Sequence, residues 1–192
     1  MSDIPKTSRA ACVVAFQKPL ELREVPIPDS TEPGAILVKT EVASICGSDV
    51  HLWQGELGVA SHLELPVILG HEMMGRVVRL GPGVPHDPAG QPLAEGDRIV
   101  WTHASCGECY MCTVALQVSL QPRLIVEKQL TILGVMSGDT DHYYKALQFL
   151  RHNRDRFTFH DMLSNRYRLD QINEALKAMR AFHEVKPVVV MA

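Results

Sequence analysis

The sequence predicts a mainly β fold with helices toward its C-terminal end, an α+β chain of barrel or sandwich type. Two observations carry that expectation. Short apolar runs, some alternating with charges, recur through the first hundred residues between Pro- and Gly-rich turns. After about residue 117 apolar residues recur at spacings of three and four, the period of a helix.

The elements follow in order. Ala11-Cys-Val-Val-Ala-Phe16 is a short apolar strand, and Leu20-Glu-Leu-Arg-Glu-Val25 sets leucines beside charges. From Ala35 to Val42 the alternation is cleaner, with Ile36, Val38 and Val42 on one face and Lys39 and Glu41 on the other. Pro26, Pro28, Pro33 and Gly34 punctuate the gap before it. Met73 to Leu80 is a strand ended by Gly81-Pro-Gly83, and Asp97 to Trp101 another after a loop. Leu130-Thr-Ile-Leu-Gly-Val135 reads as a buried strand. Tyr143, Leu147 and Leu150 mark one helix, and Ile172, Ala175, Leu176 and Met179 a second. Pro187 to Met191 closes as a strand.

Composition narrows the function. The chain has 192 residues, 46% hydrophobic, a length that suits one domain and strains at two. With 19 basic and 22 acidic side chains the net charge is −3, which leaves no footprint for nucleic acid. No apolar run approaches the ~20 residues of a membrane span. Met1 to Arg9 carries no apolar core, so no signal peptide is read there. Five cysteines, three of them crowded at Cys106, Cys109 and Cys112, point to thiolate ligands in a reducing compartment, the cytoplasm by default.

Two constellations carry chemistry. The first is Cys46-Gly-Ser-Asp-Val-His51 followed by Leu69-Gly-His-Glu72. Cys, His and Glu are all competent zinc ligands, and a catalytic zinc needs three of them and an open position. Taken singly, Cys46 reads as a small core residue and His71 as a surface or capping histidine. The second constellation is Cys106-Gly-Glu-Cys109-Tyr-Met-Cys112, whose thiolates can converge on one metal. An iron–sulfur cluster would want a further Cys and Pro soon after Cys112, and the chain continues Thr-Val-Ala-Leu-Gln instead.

Taken together, the first constellation, Leu65-Pro-Val-Ile-Leu-Gly-His-Glu72, Gly81-Pro-Gly-Val84 and Glu95-Gly-Asp-Arg98 resemble the zinc-dependent alcohol dehydrogenases of the medium-chain dehydrogenase/reductase superfamily. Ser-Asp-Val-His-Leu-Trp53 is similar to the polyol and threonine dehydrogenase branch. The resemblance implies a GroES-like barrel and a catalytic zinc held by Cys46 and His71. Glu72 would be a ligand in the polyol branch or a close neighbour of the metal in others. Ser48 would contact the substrate hydroxyl, His51 would relay its proton, and Asp49 would orient the ligand histidine. Zinc would polarise the alkoxide of a small alcohol or polyol, and hydride would pass to NAD or NADP in the intact parent. Trp53 would line the substrate pocket or sit in the core.

The same resemblance implies a structural zinc at Cys106, Cys109 and Cys112, incomplete because Leu120 stands where the fourth cysteine belongs. His103 is read as an ordinary loop histidine. His62, His86, His142, His152, His160 and His183 lack partners at ligand spacing and are read as surface residues; Arg151, Arg154 and Arg156 form a solvated basic face. None of the thirteen glycines forms the GxGxxG turn of a dinucleotide domain, so no cofactor-binding residue is assigned. The expected organisation is a catalytic domain over residues 1–117, a remnant of the coenzyme domain over 118–157, and a return into the catalytic domain over 158–192, with a middle block missing between Gln117 and Val118. A remnant strand stripped of its neighbours is an unpaired apolar edge, so a homo-oligomer is expected. Two other readings stay open: a zinc-binding module without redox activity, and a GroES-like interaction protein whose ligand residues are relics.

Overall fold

The computed structural model describes residues 4–56, 63–87, 89–101 and 140–191. The expectations at Cys106, Cys109, Cys112, His103, His62 and Leu120, the strand Leu130 to Val135 and the junction at Gln117 lie outside them. The chain opens with two antiparallel strands, β1 (Thr7–Cys12) and β2 (Glu21–Pro26), in register from Thr7 opposite Pro26 to Cys12 opposite Glu21. The first lies earlier than the apolar run from Ala11 proposes. Its outer residues Thr7 to Arg9 are polar and exposed, so pairing with β2 and not burial defines it.

The main sheet has five strands: β3 (Ile36–Ser44), β4 (Met73–Leu80), β5 (Arg98–Trp101), β6 (Arg166–Arg168) and β7 (Val188–Val190), in the spatial order β5-β4-β3-β7-β6. All pairs are antiparallel except β6 with β7. The C-terminal strand β7 thus lies against the end of β3, with Ser44 opposite Val188 and Ala43 opposite Val189. On the outer face Glu41 accepts from both Arg76 and Arg98, at 2.9 and 2.8 Å, which ties three adjacent strands by charge.

The described chain also has three α-helices, α1 (Gly47–Gln54), α2 (Thr140–Asn153) and α3 (Ile172–Arg180), and two short 3-10 turns, Phe159–Met162 and Leu169–Gln171. The helix α1 is stopped by Gly55, whose φ of 75° suits glycine and lets its N–H reach back to His51 and Leu52. The core joins Val50 and Trp53 of α1, Ala175 and Leu176 of α3, Val189 of β7, and Val13 and Ile45. The helical spacing read at Ile172, Ala175, Leu176 and Met179 is the face of α3 turned to that core. Trp53 is 6% exposed and its indole N–H donates to the Lys18 carbonyl at 2.6 Å, so of its two readings the core is the one observed. Cys12 is buried, as its apolar neighbours require. The apolar residues Tyr143, Leu147 and Leu150 of α2 are exposed, and no described helix is long and apolar enough to cross a membrane.

The return of the chain into the sheet is held by one carboxylate. Glu184 accepts from Ser164 Oγ at 2.9 Å, Asn165 Nδ2 at 2.8 Å, the Asn165 amide at 3.2 Å and the Tyr167 hydroxyl. Burial acts to raise its pKa, and the hydrogen bonds from Tyr167, Asn165 and Ser164 outweigh it and hold the carboxyl below its ordinary value. A depressed carboxylate stabilises the fold above its unfolded value of 4.5, and that contribution fades as pH falls through the lower folded value. Glu184→Gln is therefore expected to lose about 1–2 kcal/mol at neutral pH and nothing once the native carboxyl is protonated. Urea midpoints of both proteins across pH 3 to 7 check this; a gap that does not narrow toward acid overturns it.

Candidate metal centre

The site forms where three segments meet at one end of the sheet. Cys46 follows the end of β3, Ser48 and Asp49 lie in the first turn of α1, and His71 and Glu72 lead directly into β4. Local chemistry sets the turn. Asp49 accepts from the Cys46 amide at 2.9 Å, satisfying a donor that the helix start leaves open. The Ser44 amide donates to the Glu72 carbonyl at 3.0 Å and the Ile45 amide to the Pro187 carbonyl at 3.1 Å. The backbone leading into Cys46 is thus pinned by the approaches to β4 and β7.

Side chains converge on this point. Cys46 Sγ lies 3.2 Å from His71 Nε2, and Ser48 Oγ lies 2.9 Å from the sulfur and 3.3 Å from the same nitrogen. Behind the imidazole, Asp49 Oδ1 faces His71 Nδ1 at 3.4 Å. That oxygen is buried without a hydrogen-bond partner of its own. Among the described residues, Cys46, Asp49 and His71 are a group whose ligand atoms all lie within 4.8 Å of one another.

The donor set fits zinc. Ordinary Zn–S and Zn–N bond lengths at a tetrahedral angle put sulfur and nitrogen about 3.5 Å apart. The 3.2 Å found here is within a few tenths of that. With Nε2 toward the thiol and Nδ1 toward a buried carboxylate, the imidazole has the orientation that a metal-ligating histidine is usually given. Cys46, Ser48 and His71 are all partly exposed, so the centre opens to solvent on one side.

Glu72 and His51, named from the sequence beside these residues, stand apart from the group. Glu72 Oε2 is held by Lys186 Nζ at 2.5 Å and by the Ser44 hydroxyl. Burial works to raise its pKa, but Lys186 and Ser44 prevail and keep the carboxyl below its usual value. His51 lies one turn beyond Ser48 on α1, exposed, with Nδ1 2.8 Å from Glu56 Oε2. Lys186 and Ser44 escaped the sequence reading. Only the apolar run Pro187-Val-Val-Val190 after the lysine gave a hint of a fixed segment there.

The chain is 45% identical over 105 residues to 5-exo-hydroxycamphor dehydrogenase of Pseudomonas putida, covering 54% of this chain and 28% of that protein. It is 43% identical over 125 residues to L-threonine 3-dehydrogenase of Thermococcus kodakarensis, covering 64% and 32%. An alcohol dehydrogenase of Geobacillus stearothermophilus is 32% identical over 155 residues, covering 80% of this chain and 42% of the relative. The chain thus spans well under half the length of these relatives. In fold it is similar to a crystal structure of an alcohol dehydrogenase from Thermotoga maritima, with a TM-score of 0.71 over 96% of this chain and 99% of that one, at 17% identity. Residues 32–146, more than half of the chain and including Cys46, Asp49 and His71, match the alcohol dehydrogenase GroES-like domain. With its motifs, sheet and relatives in agreement, the chain belongs to the GroES-like alcohol dehydrogenase family, within the medium-chain dehydrogenase/reductases.

Proposed function

We propose that the chain is the catalytic-domain portion of a zinc-dependent alcohol or polyol dehydrogenase, and that alone it binds zinc without turning over a nicotinamide cofactor. The carrying observation is the 3.2 Å approach of Cys46 Sγ and His71 Nε2, with Ser48 Oγ beside both and Asp49 behind the imidazole. Cys46 and His71 would hold the zinc, which when bound supplies positive charge that lowers the pKa of an alcohol hydroxyl. Asp49 fixes the ring so that Nε2 stays turned to the centre. Ser48 Oγ lies where a substrate hydroxyl would donate its proton, and His51, paired with Glu56, stands at the solvent side of the same helix to release it. Thiolate ligation suits a reducing compartment such as the cytoplasm.

The reading that the ligand residues are relics makes the opposite forecast about metal. Zinc per chain is measured by elemental analysis after reconstitution and gel filtration. Cys46→Ala and His71→Ala are each expected to lose about one equivalent relative to the native chain. Unchanged stoichiometry in both variants overturns the assignment. NAD or NADP reduction with a panel of alcohols and polyols is expected to stay at background for the zinc-loaded chain, and sustained turnover overturns that half of the proposal.

A further inference from the structure

The segment from Gln17 to Leu20 bridges the helices α1 and α3 and leaves a cavity between them. Gln17 donates its backbone amide to the Trp53 carbonyl at 2.9 Å and its side-chain amide to the Gln54 carbonyl at 3.2 Å. The Lys18 carbonyl accepts from the Trp53 indole. Asn173 of α3 accepts from the Leu20 amide at 2.8 Å and donates to the Leu20 carbonyl at 3.0 Å. The cavity among these residues has a volume of about 190 Å³. Its walls are held by the chain's own hydrogen bonds, so it is formed before anything enters. Gln17 also has a φ of 61°, a left-handed backbone that a residue with a side chain rarely takes and that gathers at binding sites.

The chemistry of the lining is divided. Its floor is apolar, with Pro19 beside Trp53 and Leu176, the last two buried. Its rim is positive: Lys177 and Arg180 stand three residues apart on α3, both exposed and both lining the opening. No acidic residue lines the cavity, and among the described residues neither cation is in an ion pair. The Arg180 guanidinium lies 5.5 Å from the centre of the Trp53 ring, which holds it at the mouth and brings any group it pairs with toward the indole. Positive charge suits the last turn of a helix in general, but that preference does not account for a preformed apolar cavity beneath it. Gln17, Asn173 and the indole N–H spend their polarity on the chain, so two cations over an apolar floor are what remains to select a ligand. The volume equals about six molecules of liquid water and falls below the ~300–1,000 Å³ of larger ligand sites, which excludes a nucleotide.

We propose that the cavity between α1 and α3 binds a small organic carboxylate with a flat apolar body. The carboxylate pairs with Arg180, whose planar guanidinium suits it, and with Lys177 beside it. The body lies against Trp53 and Leu176. Cys46 precedes α1 and Trp53 lies in its last turn, so the two sites stand roughly 10 Å apart along the helix axis. Binding in the cavity needs no metal.

Benzoate is the probe, added to the full chain and followed by equilibrium dialysis and by Trp53 emission. Trp101→Phe leaves Trp53 as the sole tryptophan for the second measurement. Benzoate is expected to bind saturably and to change the Trp53 emission with the same midpoint. Arg180→Gln weakens binding about tenfold and Lys177→Gln about threefold. Benzamide, which keeps the ring without the charge, and acetate, which keeps the charge without the ring, each bind at least about tenfold more weakly. Cys46→Ser, which removes a ligand of the metal centre, keeps native benzoate affinity. Both rim side chains are exposed, so their substitution leaves the core in place, and thermal midpoints verify this. Absence of saturable binding overturns the proposal, as does equal affinity for benzamide or native affinity in both rim variants. A Cys46→Ser chain that loses benzoate overturns it too, because the carboxylate then sits at the metal centre.

Discussion

Replacing Asp49 by alanine is expected to cost the chain its metal and a large part of its stability at once. The carboxylate is 5% exposed and serves two neighbours: Oδ2 accepts from the Cys46 amide at 2.9 Å, and Oδ1 faces His71 Nδ1 at 3.4 Å. Alanine leaves the Cys46 amide unpaired at the start of α1 and removes the group that orients the imidazole. The lost helix-start hydrogen bond and the unpaired buried donor together come to about 2–4 kcal/mol. Loss of a carboxylate behind a ligand histidine typically weakens metal binding by about 10–100-fold. Asp49→Asn separates the two effects. Its amide oxygen can still accept from the Cys46 N–H, so most of the stability should return. It carries no charge to hold the imidazole, so metal affinity should stay low. Denaturation midpoints with and without zinc, beside chelator competition, give both quantities. An Asp49→Ala chain that keeps native zinc affinity would show that the ring is oriented by something else.

What could be read from the sequence, and what could not, divides by the range of the interaction. The strand Met73–Leu80 has the bounds its residues propose, because half-buried alternation and the glycine turn after it are local signals. The helix Gly47–Gln54 gives almost none. Only Asp49, Val50 and Trp53 are buried along it, and one of the three is a carboxylate, so the apolar period is broken. Its legible marks are a carboxylate three residues after the turn and a glycine at its end. The strand Arg166–Arg168 is harder still: three residues, two of them exposed arginines, made a strand by parallel pairing with Val188–Val190. At α2 the helical period at Tyr143, Leu147 and Leu150 is plain, yet those residues are exposed, so periodicity alone did not identify a partner.

The site divides in the same way. Cys46, Ser48, Asp49 and His71 sit in two short motifs, so spacing and resemblance were enough to expect that they meet, whereas His51 and Glu72 of the same motifs stand apart from the group. The pairing of Glu72 with Lys186 joins residues from distant parts of the chain and exists only because β7 lies against β3. No spacing rule could find it.

The same dependence of the site on the sheet makes Gly75→Ala a damaging small substitution at the strand that carries the site. Gly75 is buried in β4, opposite Thr40 of β3 and beside a register shift in that pairing, and a Cβ there would lie 2.2 Å from the Lys39 carbonyl oxygen and 2.9 Å from Thr40 Cα. Both obstacles are backbone, so no side chain can swing aside, and the strands must part or slip. Overpacking of that kind costs roughly 3 kcal/mol or more. His71 and Glu72 directly precede β4, so a displaced strand also moves an imidazole that must stay within a few tenths of an ångström of its place. Gly47→Ala is the control. A Cβ at Gly47, in the first turn of α1, meets nothing within 4 Å, and its backbone needs no positive φ. Relief of glycine's conformational entropy should leave that variant neutral or more stable by about 0.5 kcal/mol, with zinc binding intact. The same methyl group is thus expected to act in opposite directions at two positions near one centre. Thermal midpoints and zinc stoichiometry of the pair, measured side by side, test this. A Gly75→Ala chain with native midpoint and full zinc content would mean that the close pairing of β3 and β4 does not constrain the site.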